Sequence, residues 1–241
     1  MRVSLFIPCL VDALVPEVGE ATARVLSRLG LGLDYPPSQT CCGQPAFNAG
    51  AWEDARRVGR QFLRAFAGSE VIVAPSGSCV SMVRTHYPHL FAEHPAELAA
   101  AQAIGERSFE LTEFLVHRLG KTELGASFSG RVTYHDSCHL NRELGIQAEP
   151  RALLQAVAGL ELVELPDAER CCGFGGTFSI KFPEVSVAMA RRKAERIAES
   201  GADTVVVCDP GCLLQIRGYL SRRGSRVQVR HIAELLAGQS P

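Results

Sequence analysis

Cys171-Cys172-Gly173-Phe174-Gly175-Gly176 sets two adjacent thiols ahead of a loop almost bare of side chains. Cys41-Cys42-Gly43 opens in the same way 130 positions earlier. A cysteine used only for packing needs no twin beside it. A glycine-rich loop lets backbone approach a bulky group and leaves N–H groups free to face sulfur or an anion. The stretch therefore points to a metal centre held by thiolates, and its recurrence points to a duplicated fold.

The duplication extends outward from the paired cysteines. A short apolar run over residues 2–7 precedes Cys9, and a matching run over 131–135 precedes Cys138. After each pair an amphipathic helix is expected. Ala55, Val58, Phe62, Ala65 and Phe66 recur as Val187, Ala190, Ala194, Ile197 and Ala198, at steps that share one helical face. A β-branched strand follows each helix, Val71-Ile72-Val73 and Val205-Val206-Val207. Aligning those strands puts Cys208 opposite Ala74 and Cys212 opposite Cys79. Residues 111–115 and 231–235 echo each other as the last helices.

Alternating strands and helices imply a mostly parallel sheet covered by helices. The expected fold is α/β, with two pseudo-twofold-related lobes at 1–125 and 126–241. Each is a small sheet with flanking helices and a cysteine cluster at the C-terminal rim of its strands, where open α/β sheets collect ligands. Residues 12–29 read as one helix, 31–35 as a short strand, and Pro183 as the opening of a helix.

A net charge of −1 over 241 residues argues against nucleic acid or an anionic membrane as the main partner. The basic runs Arg56-Arg57, Arg191-Arg192-Lys193 and Arg222-Arg223 read as solvated helix faces. Pro8 and Asp12 interrupt the N-terminal apolar run too early for a signal peptide, and no stretch is long enough to span a bilayer. A reducing, cytoplasmic location is the expectation. There, nine cysteines read as metal-binding or redox-active rather than as a disulfide framework.

The first lobe offers Cys9, Cys41, Cys42 and Cys79; the second offers Cys138, Cys171, Cys172 and Cys212, with Cys208 as a further thiol. Both zinc and iron–sulfur centres take thiolates. Vicinal cysteines suit two irons of an inorganic core better than one tetrahedral ion, which favours iron–sulfur. The C-x2-C-x2-C run of ferredoxins is absent. His135 and His139 bracket Cys138 as neighbours or ligands, His86 and His89 read as helix-end residues, and Trp52 reads as packing. There is no P-loop, G-x-G-x-x-G or G-x-S-x-G motif, so nucleotide and flavin have no visible site.

Cys9-Leu10-Val11-Asp12, Cys41-Cys42-Gly43-Gln44-Pro45-Ala46, Pro75-Ser76-Gly77-Ser78-Cys79, Cys171-Cys172-Gly173-Phe174-Gly175-Gly176-Thr177-Phe178-Ser179 and His231-Ile232-Ala233-Glu234 carry a family resemblance. They resemble the cysteine-rich CCG domain of the heterodisulfide reductase B subunit, the glycolate oxidase iron–sulfur subunit and lactate utilization protein A, in the short two-repeat form of the last. That resemblance implies a non-autonomous electron-transfer subunit of an oxidoreductase complex converting L-lactate, or a 2-hydroxy acid such as glycolate, to the 2-oxo acid. It further implies a ferredoxin-type iron–sulfur partner and clusters on the CCG cysteines, the non-cubane [4Fe-4S] form among them. Two departures qualify it. Ser76 stands where the motif has a cysteine, and three residues separate Cys208 from Cys212 where the motif has two. An ordinary cluster, a non-cubane one and zinc stay open for each lobe, as do a zinc scaffold and a heterodisulfide-type thiol–disulfide subunit for the whole chain.

Overall fold

A computed structural model of the chain describes residues 1–238, so the last three positions of the expected repeat 126–241 lie outside the described residues. The chain forms two compact units, Met1–Phe114 and a second beginning at Leu115. Each contains one four-stranded, wholly parallel sheet flanked by helices.

In the first unit, β1 (Arg2–Leu5), β2 (Gly32–Asp34), β3 (Ile72–Ala74) and β4 (Ser108–Glu110) lie in the order β2-β1-β3-β4. In the second, β5 (Ser127–Tyr134), β6 (Ala158–Val163), β7 (Thr204–Val207) and β8 (Gln228–His231) repeat that order as β6-β5-β7-β8. All of β3 and all of β7 are buried, as central strands covered on both faces must be. The α/β class, the parallel sheets and the two similar lobes are as the sequence implied.

Several local expectations need correction. β4 and β8 were not anticipated: Ser108-Phe109-Glu110 is too short to show a period, and its pairing with β3 comes from a distant part of the chain. The helix expected over 12–29 is two helices, Cys9–Leu14 and Pro16–Arg28. Pro16 clashes with an α-helical predecessor, and Val15 sits accordingly at φ −145°, ψ 57°. Pro183 does open the helix Pro183–Ser200.

The repeat register also shifts. Phe6 N–H donates to the Val73 carbonyl at 2.9 Å, and His135 N–H donates to that of Val206 at 2.9 Å, so Phe6 and His135 are equivalent. Ser76 and Asp209 are equivalent N-caps, accepting from Cys79 N–H at 3.4 Å and Gly211 N–H at 3.0 Å. Cys208 therefore stands opposite Pro75, not Ala74, while Cys212 stays opposite Cys79.

In the helix Trp52–Ala65 the buried face carries Ala55, Gly59 and Phe62, and Phe66 follows just beyond it. In Pro183–Ser200 it carries Ser186, Ala190, Lys193 and Ile197. The face expected through Val187, Ala194 and Ala198 is thus one residue out of place, and Val187 is 49% exposed. Alanines scattered along that helix gave a false period. Lys193, expected on a solvated face, is 1% exposed and occupies the station of Phe62.

Candidate metal centres

Each thiol is delivered by a strand end or by a glycine turn. Cys9 begins the helix after β1, and Cys79 lies in the first turn of Gly77–Ser81 after β3. Cys138 caps the turn His139–Glu143 after β5, and Cys212 lies in the first turn of Pro210–Arg222 after β7. Because both sheets are parallel, these exits fall at one rim of each sheet.

The paired cysteines reach the same rim through left-handed glycines. Gly43 has φ +83° and Gly173 has φ +90°, which L side chains seldom adopt. A Cβ on Gly173 would lie 2.7 Å from the Ser186 carbonyl oxygen, so the loop touches its helix backbone to backbone. The turn also aims each glycine N–H at sulfur: Gly43 donates to Cys41 Sγ and Gly173 to Cys171 Sγ, both at 3.4 Å. The residue after each glycine closes the loop differently. Gln44 Nε2 donates to the Ser78 carbonyl at 3.2 Å, whereas the Phe174 ring packs on Gly211, where a Cβ would lie 2.5 Å from it.

The thiols converge in both units. Cys42 and Cys79 Sγ are 3.5 Å apart, and Cys172 and Cys212 Sγ are 3.4 Å apart. Those separations far exceed a disulfide bond of about 2.05 Å, yet both sulfurs of each pair can reach one metal at about 2.3 Å. Hydrogen bonds from Cys42 and Cys9, with the Gly43 N–H, pull the Cys41 thiol down to about 3. Cys138 and Cys172 act likewise on Cys171, which falls to about 2. The donors move the opposite way: Cys9, Cys42, Cys138 and Cys172 are raised, first by that same bonding and then by burial. Cys41 and Cys171 are thus stabilised as thiolates by reluctant thiol neighbours. A cation is what would let the whole set ionise, and the donor chemistry fits a thiophilic metal or an iron–sulfur group.

Cys208 is fully buried, and its sulfur accepts from the Tyr134 hydroxyl at 3.3 Å.

The surroundings of the two clusters differ. In the first unit Tyr87, fully buried, donates its hydroxyl to the Cys42 carbonyl at 2.9 Å. Phe6 packs edge-on to Phe62 at 4.8 Å, and Phe62 edge-on to Tyr87 at 5.7 Å. The sequence marks His86 and His89 as helix-end residues and gives no sign of the tyrosine between them. Its contact partner, Cys42, lies 45 positions away, so no local signal marks it.

In the second unit the loop ahead of Cys138 is tied by Asp136, which accepts two hydrogen bonds from Arg151 at 2.8 and 2.9 Å. The Arg151 guanidinium also lies 5.2 Å above the Tyr134 ring. His135 is buried, and its ligand atom lies with Cys172 and Cys212 Sγ in a group whose members are all within 4.8 Å. Cys212 is lowered to about 6, first by a hydrogen bond from Cys172 and then, against the opposing effect of burial, by the adjacent His135. His139 stands apart, with Nδ1 3.6 Å from Cys138 Sγ and Nε2 3.9 Å from Glu143. Trp52, expected in packing, is half exposed and stacks on Phe47 at 5.9 Å.

Comparison with known proteins matches the duplicated build of the chain. The family profile of the cysteine-rich CCG domain matches residues 3–84 and again 132–217. Lactate utilization protein A of Oceanobacillus iheyensis is 48% identical over 236 residues, covering 98% of this chain and 96% of that protein. The protein of the same name from Bacillus subtilis is 45% identical over 236 residues, covering 98% and 99%. Among solved structures, a hypothetical protein from Helicobacter pylori superposes with a TM-score of 0.70 at 12% identity. It shares the fold over 100% of this chain, which spans 49% of that longer one.

Proposed function

The chain belongs to the cysteine-rich CCG domain family, and on that premise we propose that it is an iron–sulfur electron-transfer subunit of a cytoplasmic complex oxidising L-lactate, or a related 2-hydroxy acid such as glycolate, to the 2-oxo acid. One observation carries the reading: four thiols meet at the same rim in each of two similarly built units. Cys9, Cys41, Cys42 and Cys79 would hold one centre, and Cys138, Cys171, Cys172 and Cys212 the other. An iron–sulfur group bound there supplies one-electron redox chemistry.

The protein's own part is to position and tune. Gly43 and Gly173 N–H groups donate to the Cys41 and Cys171 sulfurs, and such bonds raise a centre's potential by stabilising added negative charge. Cys42, Cys79, Cys172 and Cys212 are buried, which limits water at the sulfur. A subunit role is supported by apolar side chains left in solvent just after the second cysteine pair, Ile180 (80% exposed), Phe182 and Val185. A ferredoxin-type iron–sulfur protein is the partner this reading gives that surface. No helix among the described residues is long and apolar enough to cross a membrane.

The short sulfur–sulfur separations within Cys42/Cys79 and Cys172/Cys212 favour a second reading, a zinc-binding assembly module. Anaerobic purification with iron, sulfide and zinc analysis separates the two. Iron and sulfide in both units, reduced by lactate only when the chain is assembled with its complex, is the expected result. A colourless chain with stoichiometric zinc after iron reconstitution would overturn it.

A further inference from the structure

Phe6 and His135 occupy equivalent stations, and so do Phe62 and Lys193. The wall beside the first cluster is therefore two rings packed edge to face, while the wall beside the second carries an imidazole and an ammonium. A duplicated fold that keeps its thiols but trades a buried aromatic pair for two buried polar groups has changed the chemistry of one site.

The hydrogen bonding of His135 identifies its tautomer. Nδ1 lies 3.1 Å from the Ala168 carbonyl oxygen, which can only accept, so Nδ1 carries hydrogen. The lone pair of the neutral ring is then on Nε2. That atom is buried, with no hydrogen-bond partner among the described residues, in a side chain 1% exposed. A ring nitrogen of His135 lies with the Cys172 and Cys212 sulfurs in a group within 4.8 Å, and with Nδ1 held by Ala168 it is Nε2 that is left for a metal. A backbone carbonyl holding one ring nitrogen while the other points at thiols is how a metal-binding histidine is usually oriented. Lys193 reinforces the anchor. Its Nζ donates to the same Ala168 carbonyl at 3.0 Å and to Asp167 at 2.9 Å, fixing the peptide that fixes the ring.

We infer that His135 is a nitrogen ligand of the centre in the second unit, bound through Nε2 beside Cys172 and Cys212, so that this centre is mixed nitrogen–thiolate while the first is thiolate only. The inference rests on the proposed metal-binding role of the cysteines and extends it. Phe6 at the matching station has no donor atom, so the first unit cannot make the same substitution. The two centres of one chain are then unequal in their ligands, the second adding a neutral imidazole to the same four-thiol set.

The test loads the full chain anaerobically with Co(II) and compares natural-abundance and 15N-histidine samples by electron–nuclear double resonance. The expected result is a strongly coupled histidine nitrogen in the wild-type chain. It is lost in His135→Gln and in Cys172→Ser, and kept in His139→Gln and in Cys42→Ser. Thiolate-to-cobalt charge transfer without any coupled nitrogen in the wild type overturns the inference and leaves the cysteine sites standing. So does loss of the coupling in His139→Gln in place of His135→Gln. Absence of both charge transfer and bound cobalt overturns the inference together with the metal-centre reading. The wild-type spectrum decides the matter even if a variant misfolds.

Discussion

The buried hydroxyl of Tyr87 donates to the Cys42 backbone carbonyl at 2.9 Å, tying the first cysteine pair to a residue 45 positions further along. Tyr87→Phe keeps the ring against Phe62 and Phe91 but strands a buried acceptor, which costs about 1–3 kcal/mol. The expected outcome is a lower denaturation midpoint and weaker metal retention in the first unit, with retention in the second unchanged. Chemical unfolding and metal analysis of the variant check it.

The two glycine turns should differ in tolerance. Either glycine changed to alanine incurs about 1–2 kcal/mol for the left-handed backbone. On Gly43 the new Cβ would lie 3.4 Å from the Ala55 oxygen, an ordinary contact. On Gly173 it would meet the Ser186 oxygen at 2.7 Å and Met189 Cβ at 2.9 Å, and helix backbone cannot step aside as a side chain can. Gly173→Ala is expected to cost at least twice as much as Gly43→Ala, read from paired unfolding curves.

Cys208 and Cys212 should separate cleanly. Cys208 sulfur is engaged by Tyr134 at 3.3 Å, whereas Cys212 sulfur lies 3.4 Å from Cys172. Cys208→Ser is expected to keep the metal content of the second unit at a modest loss of stability, about 1 kcal/mol. Cys212→Ser is expected to lose that content. Native mass spectrometry of the two variants after anaerobic reconstitution reads the difference.

Glu110 predicts a pH dependence of folding. Burial pushes its carboxyl up to about 8, although Thr112 and Glu113 N–H groups donate to it at 2.6 and 3.4 Å. Glu113 alongside adds to the rise and is itself paired with Arg84 at 2.8 Å. A folded-state value above the unfolded one means the folded chain holds a proton that the unfolded chain releases first. The contribution is full below about pH 4.5 and is lost as pH rises through about 8. Across that window the loss is on the order of a few kcal/mol, and Glu110→Gln should remove it. Midpoints measured at several pH values in both chains would show parallel slopes if the expectation is wrong.

How much of this was readable beforehand depends on the range of the interaction concerned. Paired cysteines followed by a glycine announced the thiol clusters, because a residue with no Cβ directly after two thiols is a local requirement of the turn. Runs such as Val205-Val206-Val207 announced buried parallel strands for an equally local reason, their composition. Helix register was less legible. Pro183–Ser200 carries apolar residues on more than one face, and only the contacts of Ser186 with Gly173 and of Lys193 with the Asp167 and Ala168 carbonyls show that these two turn inward. Lys193 in particular resembled its basic neighbours Arg191 and Arg192.

From its own residues the chain determined an α/β duplication with two sets of thiols, since strand composition, glycine turns and cysteine spacing are written along a few residues at a time. Tertiary structure alone decided that His135 lies buried beside Cys172 and Cys212, that Cys208 answers to Tyr134, and that Lys193 is buried. Each of those facts depends on groups brought together across tens of residues by strand pairing and helix packing, and a buried atom's chemistry is set by whatever the fold places beside it.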